Sequence, residues 1–191
     1  MDSRDQAEQF HPESVAAWRQ WLEANHAQSP GVWVVSWRGA TGRRAVAYDD
    51  LVLEALAFGW VDGQARPLDD DRSMLWFTQR KPGSGWARTN KERIAQLERE
   101  GRMSPAGEHA VELARENGSW TLLDDAENLT ESAELSAALD AVPAARANWD
   151  AFPASVRKFA ISWVAFAKKP ETRARRIADI VDKASRGERP S

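Results

Sequence analysis

The sequence predicts an α+β protein: a small curved sheet, antiparallel or mixed, with helices over residues 1–118, then a C-terminal helical bundle over residues 119–191 packed as one unit with the first part. Three observations carry this reading. Runs rich in β-branched and aromatic residues are short and confined to the first part. After about Trp86 the apolar residues recur at helical spacing. Ten tryptophans against one tyrosine require a folded interior or a binding surface to cover their rings.

The elements follow in order. His11-Pro12-Glu13 opens a helix ending near Asn25, with Val15, Trp18, Trp21 and Leu22 as its apolar stripe. Pro30-Gly31 breaks the chain, and Val32 to Trp37 suits a half-buried strand followed by a loop, Gly39 to Arg44. Tyr48-Asp49-Asp50 places acids in a first turn, Leu51, Val52, Ala55 and Leu56 form the buried side, and Gly59 suits the stop. Trp60 to Arg66 and Ser73 to Arg80 pair as a hairpin across a Pro- and Asp-rich turn. Helical spacing resumes at about Trp86, with Ile94 and Leu97 inward, and stops at Gly101. Ser104-Pro105 caps a further helix running to Asn117-Gly118, with Ala106, Ala110 and Leu113 inward. Beyond an irregular acidic stretch, Ser119 to Thr130, short helices are expected over Leu135 to Leu139 and Pro143 to Trp149. A longer one from Pro153 to Lys168 has Val156, Phe159, Ala160, Trp163 and Ala167 on its apolar side. Ala174, Ile177, Val181 and Ala184 mark the last.

Composition removes several function classes. Without cysteine there is no disulfide, thiolate nucleophile or Cys-ligated metal. The longest mainly apolar run, Ile161 to Ala167, falls far short of the ~20 residues that span a bilayer, and Met1 to Asp5 leads into no apolar signal segment. A cytoplasmic location with no membrane span is therefore expected. A net charge of −3 exerts no overall pull on nucleic acid. Charge is nonetheless blocked: basic over Arg80 to Arg102, acidic over residues 122–150, basic again after Pro153. The basic closing helices lack the aromatic interleaving of a nucleic-acid surface, which disfavours that partner.

Chemistry-bearing patterns are sparse. His11, His26 and His109 are isolated, so no metal or cofactor is expected. Gly83-Ser84-Gly85 lacks the spacing of a nucleophile elbow, and neither a phosphate-binding loop nor a dinucleotide fingerprint occurs. Asp49-Asp50 and Asp69-Asp70-Asp71 are explained by a helix start and a turn. Asp62, close to Trp60 and followed by Gly63, either caps backbone or points into a cleft. The most informative segment is Arg80 to Lys91, where a strand end, a Gly-rich turn and a helix start would offer free amides to an anion. In that reading Trp60 and Trp86 are walls, Arg80 and Lys81 charge partners, Ser84 and Asn90 hydrogen-bonding groups, and Asp62 an orienting acceptor. The competing reading makes Ser84 a helix cap and Trp86 a core residue.

Three segments, Phe58-Gly59-Trp60-Val61-Asp62-Gly63, Trp76 through Trp86, and Gly101 through Gly107, resemble the YdeI or OmpD-associated (OmdA-like) family of bacteriocin-protection proteins, in matching order from about Phe10 to Arg189. Ser162-Trp163-Val164 and Ala167 to Arg173 resemble that family's closing segment. Where the family usually has Ile, Arg and Pro, this chain has Val61, Trp76 and Gln79; losing the Arg removes one anion contact. The resemblance implies a bacterial protein linked to bacteriocin protection or stress, and brings no established catalytic residues. The function expected is non-enzymatic binding of a small anionic ligand in a Trp-lined cleft. The alternatives are a protein-interaction module acting through the C-terminal helices, and an enzyme of unknown reaction using Asp62 as acid or base.

Overall fold

The computed structural model describes residues 3–190. The chain divides into two units: the first runs to Ser84 and resumes over Thr89–Asn117, and the second comprises Gly85–Arg88 with the chain from Gly118 onward. A small mixed sheet with flanking helices makes the first, and a helical bundle the second.

The sheet has four strands, β1 (Gln9–Phe10), β2 (Val32–Trp37), β3 (Trp60–Pro67) and β4 (Arg72–Gln79), in the order β1-β2-β4-β3. β2, β4 and β3 are antiparallel neighbours, with Val34 opposite Leu75 and Ala65 opposite Leu75 from the other side. β1 pairs parallel with β2, which makes the sheet mixed; two residues are too few for any periodicity to announce them. A bulge between Asp62 and Ala65 interrupts the β3 ladder and re-aims the residues around Gly63.

Helices α1 (Val15–Asn25) and α2 (Tyr48–Ala57) belong to this unit. The Trp18 ring lies 5.3 Å from Phe77, and its Nε1–H donates to the Leu51 carbonyl at 3.0 Å. Trp21 meets Trp60 edge-on at 5.7 Å. These rings form a buried Trp/Phe cluster. A smaller cluster gathers Trp33, Val35 and Met74 with half-buried Trp76, and the Arg66 guanidinium lies 4.1 Å above Trp33.

Several boundaries differ from those expected. α1 starts at Val15, because the Ser14 hydroxyl accepts the Ala17 N–H at 3.1 Å and leaves buried Pro12 ahead of the cap. α3 (Arg88–Arg99) begins two residues after Trp86. α4 (Pro105–Glu116) is capped by Ser104 as expected, but buries Gly107, Val111 and Ala114 instead of the neighbouring stripe.

In the second unit α5 (Asp124–Glu127), α6 (Ala133–Asp140), α7 (Pro143–Ala151), α8 (Ala154–Ala165) and α9 (Pro170–Ser185) surround a core of Leu135, Leu139, Trp149, Ala160, Ile161, Val164 and Ile180. The α8 stripe is rotated from the one expected: Ile161 and Val164 turn inward with Ala160, while Phe159 is 48% exposed. Trp149 Nε1–H donates to Glu131 at 2.7 Å, and Arg146 clasps the same carboxylate. Among the described residues no helix is long and apolar enough to cross a membrane.

Candidate functional site

The sequence predicts an open anion cradle between two indoles at the glycine turn after the hairpin. Trp60 is fully buried, its Nε1–H given to the His26 carbonyl at 3.2 Å. Trp86 is also sealed and lies 5.1 Å from Trp120 within the second unit. Each indole is covered within its own unit, as rings of that size favour. The Ser84 N–H closes a turn on the Lys81 carbonyl at 2.9 Å, and Asn90 Oδ1 accepts from Arg93 at 2.9 Å. Lys81 is exposed. The Arg88 N–H, first of α3, faces the Glu127 carboxylate at 3.4 Å. Lys158, 2.7 Å from Glu127, holds that carboxyl below the usual range, with the Arg88 amide adding to the effect. A helix start attracts an anion, and here the chain's own carboxylate faces it.

Asp62 and Arg80 are placed differently. Asp62 Oδ2 accepts the Tyr48 hydroxyl at 2.9 Å. Tyr48 is pushed above the usual phenol range, by desolvation first and by Asp62 second, so it remains a protonated donor. Desolvation lowers Arg80 to about 10, against the opposing pull of Asp62. The bulged strand thus presents its carboxylate to the start of α2.

Tyr48 also lines a pocket of about 280 Å³ in the first unit. Trp37, at the end of β2, is the second aromatic wall; Val34, Leu51 and Leu75 supply apolar lining, and Ser36 and Ser73 supply hydroxyls. The Arg43 guanidinium lies 4.2 Å above the Trp37 ring, with His11 5.1 Å away. His11 is held below its ordinary value, by burial first and by Arg72 second; Arg72 is in turn paired with Asp69 at 2.6 Å. Arg43 forms no ion pair among the described residues. An apolar hollow with aromatic walls and a cation beside one of them suits a small organic anion. No group of three or more His, Asp or Glu among the described residues is arranged to hold a metal ion.

Trp37, Tyr48 and Arg43 escaped the sequence reading, although Tyr48 is the single tyrosine and Arg43 sits in the loop leaving β2. Glu54 escaped it too: it is 2% exposed, and Arg19 reaches it at 2.8 Å while Arg102 binds its other oxygen. A charged residue on a wholly apolar stretch of α2 was the available signal, since such a group is buried only when paired.

Fold and pocket together define a two-unit α+β protein, with a Trp-rich mixed sheet followed by a helical bundle. Residues 10–110, more than half of the chain, match the family described as Domain of unknown function (DUF8412), and the chain belongs to that family. Residues 128–187 match a second family, described as Bacteriocin-protection, YdeI or OmpD-Associated. The motifs around Trp60, Trp76 to Trp86 and Gly101 therefore fall inside the first match, and the second covers the closing helices. No curated protein and no solved structure matches the chain.

Proposed function

We propose that the chain is a non-enzymatic bacteriocin-protection or stress protein that binds a small organic anion in its first unit. The ligand's apolar body sits between Trp37 and Tyr48 and its negative charge meets Arg43. The observation that carries this reading is the 280 Å³ hollow between those two rings, with a guanidinium over one of them. Asp62 keeps the role of orienting acceptor, acting through the Tyr48 hydroxyl. The match of residues 128–187 to the bacteriocin-protection family supports the physiological setting.

A thermal-shift screen of aromatic and aliphatic carboxylates and phosphates tests the reading, because a ligand that binds only the folded state raises its stability by mass action. A stabilising compound should lose its effect in Arg43→Ala and Trp37→Ala and keep it in Lys81→Ala. The opposite pattern returns the ligand to the glycine turn and overturns this placement. Turnover of a stabilising compound that vanishes in Asp62→Asn would favour an enzyme.

A protein-interaction reading rests on a different observation. Ala138 of α6 and Val142, the residue before α7, with Ala174, Ile177, Ala178 and Val181 of α9 line a shallow apolar groove. Ala178→Asp should then abolish function in cells while leaving small-molecule binding intact.

A further inference from the structure

The second unit holds a separate pocket of about 310 Å³, at the small end of the ~300–1,000 Å³ usual for small-molecule sites. Its floor is apolar, from Leu135, Ile161 and Val164, and its polar lining includes both signs of charge, Asp125 of α5 and Arg173 of α9. Asp125 forms no ion pair among the described residues. Arg173 touches Glu134 at 3.2 Å, but Glu134 is 63% exposed, so the pair is weak and open to exchange. The hydroxyl of Thr130 completes the polar side. Thr130 is placed by Leu129, whose φ of 56° is the sole left-handed non-glycine backbone among the described residues, and its N–H is tied to the Asp125 carbonyl at 2.7 Å. Strain of this kind gathers at binding sites.

We propose that this pocket binds a free α-amino acid with an apolar side chain, its ammonium at Asp125, its carboxylate at Arg173 and its side chain on the Leu135, Ile161 and Val164 floor. A plain anion meets Asp125 and a plain cation meets Arg173, each at a cost, whereas a zwitterion satisfies both. The site is independent of the Trp37 and Tyr48 pocket and stands or falls separately.

Calorimetry of the full chain with L-leucine and L-phenylalanine is the test, with N-acetyl-L-leucine and L-leucinamide as ligands lacking one charge each. Saturable binding is expected, weakened about tenfold or more by Asp125→Asn and by Arg173→Gln, by acetylation and by amidation. It should be unchanged by Trp37→Ala, and unchanged or tighter in Glu134→Gln, which frees Arg173. Asp125 is exposed and Arg173 half-buried, so both variants keep the fold, which circular dichroism checks. Absence of saturation up to the solubility of the amino acids overturns the proposal. So does binding that either charge variant leaves intact, or equal binding of the acetylated or amidated compound.

Discussion

The Tyr48 hydroxyl donates to the Asp62 carboxylate at 2.9 Å, joining the first turn of α2 to the bulged strand β3. Because Tyr48 is 53% exposed, removing the hydroxyl costs little stability, under about 1 kcal/mol. Tyr48→Phe should therefore unfold in urea close to the parent while binding an organic anion more weakly, and Tyr48→Ala should bind it more weakly still. A Tyr48→Ala protein that retains full affinity would remove this ring from the site.

Glu54 is the electrostatic anchor of the first unit. Arg19→Ala and Arg102→Ala each leave its buried carboxylate one guanidinium, so each should cost about 1–2 kcal/mol. The double variant strands the charge and should cost more than the sum of the two, because breaking a buried pair is worth about 3–5 kcal/mol. Urea denaturation of the four proteins in the cycle measures the coupling.

Backbone proximity predicts a contrast between two glycines. A Cβ on Gly107 would fall 2.2 Å from the Ala57 carbonyl oxygen, whereas one on Gly101 meets nothing within 4 Å but would sit at a φ of +64°. Gly101→Ala should cost about 1 kcal/mol of conformational strain. Gly107→Ala should cost about 3 kcal/mol or more, since α4 must be pushed off α2 and the Ala57 carbonyl would lose the Ser104 hydroxyl now donated to it at 2.7 Å.

Acid should loosen the second unit through Glu131. Arg146 first, and Trp149 further, hold this carboxyl below its ordinary value of 4.5 despite partial burial. With the folded value below the unfolded one, the contribution is complete above about pH 5 and is lost as pH falls through the folded value. Glu131→Gln should be less stable than the parent by about 1 kcal/mol at pH 7, and the two should converge toward pH 3. A gap that stays constant on acidification would show that the charge of Glu131 is not what stabilises.

Legibility in the sequence followed the physical range of each signal. Ser104 before Pro105, the hairpin around Asp69, and Gly59 closing α2 are local chemistry and read directly. The phase of α8 was harder: Phe159 and Ile161 are both apolar, and only the neighbouring helices decide which turns inward. Trp60 and Trp86 show the same limit. Their size announced that something must cover them, but whether ligand or core does so depends on contacts such as Trp21 on Trp60 and Trp120 on Trp86, which no local pattern encodes. The Glu127 carboxylate at the start of α3 comes from 39 residues away in the chain. Tyr48 and Trp37 line one hollow although the loop after β2 separates them in the chain, a meeting that no local pattern announces.

Trp33 gives its indole N–H to the Arg4 carbonyl at 2.8 Å, Ala7 packs beside it, and Phe10 zips alongside Val34. Residues 4–10 are therefore fastened to the sheet largely through that one indole. A recombinant form clipped at His11 would give a redder fluorescence spectrum and a stickier surface, although every residue of the proposed binding hollow would still be there.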